Sequence, residues 1–179
     1  MSQYQIAVIF GSLHQDPFNL TLANAMVKLA PSEFTFKQVQ IEDLPLYNQD
    51  DDANQTESVK RFKNEISAAQ GLLFVTHEYN HSIPGVLKNA IDHVSRPYGQ
   101  SAWEGKPAGI LGASPKASGI AKSHQHLRNV LAFLDGQPEA FVHVKEGLFD
   151  EAGNIGADSK QFLQNWMDRY VVWVKKHAA

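Results

Sequence analysis

The chain of 179 residues contains no cysteine. This absence excludes disulfides, thiolate nucleophiles, and zinc or iron–sulfur sites built on thiolates. A chain without cysteine also fits a reducing compartment, so we expect a cytoplasmic protein.

The chain also lacks an excess of either charge, since its formal net charge is -3. Without a basic surface we expect no nucleic-acid partner and no binding to anionic lipid. No apolar run approaches the roughly 18 residues that span a membrane, and the N-terminus lacks the pattern of a signal peptide. The length and even composition predict one domain over residues 1–179.

Several catalytic motifs are absent as well. The sequence has no Gly-x-Gly-x-x-Gly fingerprint and no Gly-Lys-Ser/Thr phosphate loop. The run from Gly112 to Lys116 lacks the last glycine of a hydrolase nucleophile elbow. His124 and His126 lie two residues apart on a predicted helix, so they point to different faces. We therefore predict no metal site and no catalytic side chain.

Apolar runs and helical spacings alternate along the whole chain. The predicted strands cover residues 4–10, 34–41, 72–76, 106–112 and 140–144, and the predicted helices cover 19–30, 56–70, 84–94, 119–134 and 158–177. This alternation predicts an α/β fold with a doubly wound, five-stranded parallel sheet and helices on both faces. In the strand order 2-1-3-4-5, the loops after strands 1 and 3 meet at the switch point where ligands bind.

The first of these loops runs from Gly11 to Asn19 and leads into a helix N-terminus, where unpaired amides favour an anion. Ser12 adds a hydroxyl, and Asn19 is suited to cap the helix or to donate to a phosphate. Residues 11–20 contain no Lys or Arg, which leaves His14 as the candidate cation. An ordinary strand-to-helix turn explains the same residues equally well.

The second loop continues into a long motif, Glu-Tyr-Asn-His-Ser-Ile-Pro-Gly-Val-Leu-Lys-Asn-Ala-Ile-Asp, over residues 78–92. Together with Gly11-Ser12 and Asn19, this motif closely resembles the NADPH-dependent FMN reductase and quinone reductase family. The resemblance implies a flavodoxin-like fold and non-covalently bound FMN. It also implies NADPH or NADH as electron donor, a small-molecule acceptor such as a quinone or free flavin, and a homodimer or homotetramer.

The resemblance also implies which residues contact the flavin. The phosphate contacts would be Ser12, His14, Phe18 and Asn19. The isoalloxazine ring would be bordered by Glu78, Tyr79 and Asn80. Ser114, after the fourth strand, would lie near the ring or the ribityl chain.

Three residues depart from the family pattern. His14 stands in place of the usual arginine, Pro17 in place of a common serine, and His77 in place of a proline. If protonated His14 helps to bind the phosphate, the affinity for FMN should fall as the pH rises. Two alternatives to the enzyme remain open: a flavodoxin-type electron carrier without its own turnover and, because arginine is missing at position 14, a domain of the same fold that has lost FMN.

Overall fold

The computed structural model describes residues 3–14, 17–114, 120–133, 137–144 and 155–178. Strands and helices alternate along the chain, as the sequence predicts. The strands are β1 (Tyr4–Phe10), β2 (Phe34–Val39), β3 (Gly71–Val75), β4 (Pro107–Ala113) and β5 (Gln137–Val144). The α-helices are α1 (Pro17–Val27), α2 (Glu57–Ala68), α3 (Gly85–Val94), α4 (Ala121–Phe133) and α5 (Ala157–His177).

Strands β1 to β4 pair in parallel in the order β2-β1-β3-β4. β1 therefore lies between β2 and β3, and Ile6 pairs with Phe36 on one side and Gly71 on the other. Every residue of β3 and of β4 is buried. Strands covered on both faces require continuous apolar runs, and this explains why their sequences do not alternate.

Helices cover both faces of the sheet, so the protein has two apolar cores. On one face α1 and α5 pack against alternate residues of the central strands, with Leu22, Trp166 and Tyr170 fully buried. On the other face α2, α3 and α4 cover the intervening residues, with Phe62 and Trp103 at the centre. The predicted α/β class with a parallel sheet is confirmed.

Two local features differ from the sequence prediction. A 3₁₀ helix at Gln49–Asn54 was not predicted as a separate element, and the side chain of Asn48 accepts a hydrogen bond from the Asp50 N–H at its start. Helix α1 begins at Pro17, a position where the missing N–H costs little. The prediction that Asn19 caps this helix is therefore wrong, because Asn19 is already its third residue.

Among the residues that the structure describes, no helix is long and apolar enough to cross a membrane.

Candidate functional site

The carboxyl ends of β1 and β3 mark the switch point of the sheet. The last bond between them joins the Gly11 N–H to the Val75 carbonyl at 2.8 Å. One residue later, the Thr76 N–H pairs with Leu111 of β4 instead. A crevice opens where the loops leave neighbouring strands in this way, and such crevices bind ligands in open α/β sheets.

Gly11 and Gly112 are required where these loops leave the sheet. A Cβ on Gly11 would lie 2.8 Å from both Leu87 Cδ2 and Thr76 Oγ1. A Cβ on Gly112 would lie 2.1 Å from Ile120 Cδ1 and 2.5 Å from the Thr76 carbonyl oxygen. At Gly112 the main-chain carbonyl of Thr76 leaves no room for a side chain, whereas at Gly11 the side chains of Thr76 and Leu87 would have to move.

The first loop presents hydrogen-bond donors to the crevice. Phe18, Asn19 and Leu20 lie in the first turn of α1, and the N-terminal end of a helix favours an anion. The Ser12 hydroxyl accepts a hydrogen bond from the His14 N–H at 3.1 Å. The His14 side chain is exposed. Amides, a hydroxyl and an imidazole at a helix N-terminus form a donor set that suits an anion such as a phosphate.

The second loop is shaped by a tight hairpin turn at residues 79–82. The N–H of Tyr79 bonds to the Ser82 carbonyl, and the Ser82 N–H bonds to the Tyr79 carbonyl, both at 3.0 Å. The two central residues, Asn80 and His81, have φ angles of 50° and 63°. Two successive positive φ angles define a type I′ turn, in which asparagine is a favoured residue. The turn leaves Asn80 exposed and gives Tyr79 an exposed fraction of 45%.

The two loops are joined by a direct hydrogen bond. Ser12 Oγ and Tyr79 OH are 2.9 Å apart although the residues are separated by 67 positions. The His77 ring lies beside them, with its centroid 6.4 Å from that of His14 and 6.0 Å from that of Tyr79. Ser12, His14 and Tyr79 therefore lie together, as the sequence predicts for loops at the switch point.

Phe18 and Ser114 are the remaining residues that the sequence assigns to this site. Phe18 is 53% exposed on the first turn of α1. Ser114 is half-buried and directly follows β4. Exposed aromatic side chains beside an anion site match a ligand that carries both a phosphate and a flat apolar ring, because such rings stack on aromatic groups. The residues present therefore fit FMN.

Asn19 is buried, with an exposed fraction of 1%, and its side chain contacts the end of β4. Its Oδ1 accepts from the Ala113 N–H at 2.9 Å, and its Nδ2 donates to the Ala113 carbonyl at 3.3 Å. Nδ2 also lies 3.2 Å from His77 Nε2. The Asn19 side chain therefore has its hydrogen-bond partners within the protein, at Ala113 and His77.

Glu78 also has partners that the sequence did not reveal. Its Oε2 accepts from the N–H groups of Lys122 and Ser123 at 3.0 and 3.1 Å, in the first turn of α4. Its Oε1 lies 3.1 Å from His81 Nδ1. Burial raises the pKa of Glu78, but the hydrogen bonds from His81, Ser123 and Lys122 outweigh burial, so its pKa lies below the ordinary value. The carboxylate connects the second loop to α4.

A further contact joins the same two elements. Ser82 Oγ lies 3.0 Å from Nδ1 of His126 on α4, whereas His124 on the same helix is buried. The two histidines therefore point to different faces, as predicted. Within the described parts of the chain, no group of three His, Cys, Asp or Glu residues is arranged to hold a metal.

Comparisons with known proteins agree with this geometry. A family model described as NADPH-dependent FMN reductase matches residues 4–142. A 2-hydroxy-1,4-benzoquinone reductase from a Burkholderia species is 50% identical over 176 residues, which cover 96% of each chain. Among solved structures, the flavoenzyme NAD(P)H:(acceptor) oxidoreductase FerB from Paracoccus denitrificans is 38% identical with a TM-score of 0.88, covering 97% of this chain and 98% of FerB.

The fold is also shared with a more distant protein. A flavodoxin variant from Pseudomonas aeruginosa superposes with a TM-score of 0.58 at 15% identity, covering 93% of this chain and 99% of the flavodoxin. At that identity the likeness concerns the fold alone, and it establishes that the fold is flavodoxin-like.

Proposed function

The chain belongs to the NADPH-dependent FMN reductase family, and from this premise we propose that it reduces quinones in a ping-pong reaction at the crevice between the residue 11–19 and 76–84 loops. It is an NAD(P)H-dependent oxidoreductase whose cofactor is FMN. In the proposed reaction NAD(P)H leaves as NAD(P)⁺ before the acceptor enters. The quinone gains two electrons and two protons and leaves as a hydroquinone, and free flavin is a second acceptor of the same class.

The hydrogen bond between Ser12 and Tyr79 is the observation that carries this proposal. It joins the donor-rich loop, which suits a phosphate, to the loop that presents Tyr79 for an aromatic ring. Bound FMN supplies the hydride chemistry, so the protein needs no nucleophile of its own. The chain contributes binding and orientation, and the half-exposed Tyr79 leaves an open approach for a flat acceptor.

The proposed FMN contacts divide between phosphate and ring. For the phosphate we assign Ser12, His14 and the main-chain amides of Phe18 and Asn19. For the ring we assign the main chain of the second loop, at Glu78, Tyr79 and Asn80, with Ser114 nearby. The support is their position around one crevice.

We also propose that the whole chain acts as one domain with the five-stranded order 2-1-3-4-5, and that it works in the cytoplasm as a homodimer or homotetramer. The pairing of β4 with β5 supports the sheet order. Tyr98 and Leu46, at 89% and 87% exposure, are large apolar side chains that a second subunit could cover. Light scattering after gel filtration tests the assembly, and a monomer would contradict it.

A stopped-flow experiment separates the enzyme from an electron carrier. The FMN-loaded protein is mixed anaerobically with NADPH, and the reduced sample is then mixed with 1,4-benzoquinone. Rapid loss of flavin absorbance in the first step and its return in the second support the proposal. A protein that holds FMN but is not bleached by NADPH is a carrier, and one that binds no FMN has lost the cofactor.

The role of His14 has a test of its own. If its imidazolium contributes to phosphate binding, raising the pH weakens FMN binding more in the wild type than in His14→Gln. Fluorescence quenching of FMN measures both affinities. Equal pH profiles in the two proteins would rule out this role.

A further inference from the structure

The orientation of the Asn19 amide is fixed by the end of β4. Ala113 presents its N–H to Oδ1 at 2.9 Å and its carbonyl to Nδ2 at 3.3 Å. Turning the amide over would place N–H against N–H and oxygen against oxygen. Because Asn19 is buried, either mismatch would leave polar groups without partners at a cost of about 1–3 kcal/mol each. Nδ2 is therefore the donor on the side that faces His77.

This orientation determines the proton position on His77. The nitrogen that lies 3.2 Å from Asn19 Nδ2 is His77 Nε2, and it must accept the hydrogen bond. An imidazole that accepts at Nε2 is neutral and carries its hydrogen on Nδ1, which in His77 is a buried atom. We infer that Asn19 holds His77 as the neutral Nδ1–H tautomer, and that His77 is a positioning residue for the second loop. This inference rests on the proposed function only for its effect on FMN.

The hydrogen bonds of Asn19 to Ala113 and to His77 form a linkage between three segments that are far apart in sequence. Asn19 belongs to α1, His77 follows β3, and Ala113 ends β4. The bonded pairs are 58 and 94 residues apart, so they hold the start of the second loop against the first turn of α1 and the end of β4. Tyr79, two residues after His77, is thereby placed within reach of Ser12.

The linkage also assigns different roles to the two neighbouring histidines. His14 and Tyr79 are the titratable groups whose rings lie beside His77, at 6.4 and 6.0 Å. A neutral His77 adds no positive charge to the crevice, whereas the side chain of His14 is exposed to solvent. His77 then affects FMN binding through loop geometry, and any effect of histidine charge belongs to His14.

Nitrogen-15 NMR of the histidine rings tests the tautomer on the protein without FMN, since the two ring nitrogens give distinct signals when only one carries hydrogen. The His77 signals are assigned by their loss in His77→Gln. At about pH 7.5 we expect hydrogen on Nδ1 and a bare Nε2. A charged ring, or a neutral ring with hydrogen on Nε2, would overturn the inference whether or not the protein binds FMN.

A pair of variants tests the positioning role. The amide oxygen of His77→Gln reaches the place of Nε2 and still accepts from Asn19, whereas the shorter side chain of His77→Asn does not. We expect His77→Asn to weaken FMN binding about three- to tenfold, the effect of one lost hydrogen bond, and His77→Gln to stay within about twofold of the wild type. Equal weakening of FMN binding in both variants, or no change in His77→Asn, would refute the positioning role of His77. Failure of the wild type itself to bind FMN would refute the proposed function and leave the NMR result standing.

Discussion

Removing the negative charge of Glu78 should destabilise the protein through α4. In the structure Glu78 accepts two main-chain N–H groups at the start of this helix, from Lys122 and Ser123. A carboxylate at this position gains both from hydrogen bonds to a charged acceptor and from the helix dipole. Gln in its place keeps one acceptor oxygen and loses the charge. We therefore expect Glu78→Gln to lower the free energy of unfolding by about 1–2 kcal/mol at neutral pH.

Glu57→Gln provides a matched control. Glu57 also lies in the first turn of a helix, α2, but its side chain is 91% exposed and its partner is Lys60, at 2.8 Å. An exposed pair of this kind contributes little, so we expect a change below about 0.5 kcal/mol. Urea unfolding of the two variants and the wild type gives the comparison. Equal losses in both variants would refute the idea that Glu78 acts as a buried cap for α4.

The pH dependence of the Glu78 effect has a definite sign. The pKa of Glu78 is lower in the folded protein than its ordinary value of about 4.5. The charge therefore stabilises the folded state above the unfolded pKa, and this contribution is lost as the pH falls through the lower, folded pKa. The gap between wild type and Glu78→Gln should be constant from about pH 7 to 5 and shrink below that. A gap that widens on acidification would contradict the assignment.

The other predictions concern packing and buried hydrogen bonds, and urea unfolding measures each of them. Gly112→Ala should lower the free energy of unfolding by about 3 kcal/mol, because its Cβ would lie 2.5 Å from the Thr76 carbonyl oxygen. Gly85→Ala, with open space around it in α3, should raise the free energy of unfolding by about 0.5 kcal/mol. Tyr170→Phe should cost about 1–2 kcal/mol, since the buried hydroxyl donates to a β3 carbonyl at 2.8 Å. Lys106→Met should cost about 1 kcal/mol because Nζ donates to two carbonyls at the end of α2. A loss below about 0.3 kcal/mol in any of the three destabilising variants would contradict its contact.

The strands and helices were predictable because their signals are local. β3 and β4 are continuous apolar runs, which is what a strand covered on both faces requires. Helices α2 and α3 show buried apolar residues on one side, and their N-caps are Thr56 and Pro84. The start of α1 was misplaced because asparagine is a common cap, and nothing nearby in the sequence shows that the partner of Asn19 is Ala113, 94 residues away.

The candidate site was predictable in its location but not in its bonding. Gly11, Ser12 and the motif after Glu78 identified the two loops, and the sheet order brought them together. The partners of Glu78 and Asn19 depend on how α4 and β4 pack, which no local pattern encodes. His77 stood out as a departure from the family pattern, yet its bond to Asn19 required the three-dimensional arrangement. The signal that was available in the sequence was the concentration of histidines at 14, 77 and 81 around the two loops.

These contacts explain how a loop without Lys or Arg can still suit an anion. A carboxylate facing the phosphate would repel it, but Glu78 directs its charge to the N-terminus of α4. The tautomer inferred for His77 is neutral, so the charge of His77 neither attracts nor repels the phosphate. Among the described residues of the two loops, we propose the N-terminal end of α1 and the imidazole of His14 as the groups that attract the phosphate. Because a helix dipole and an exposed side chain are both screened by ions, we expect the affinity of the wild type for FMN to fall as the salt concentration rises.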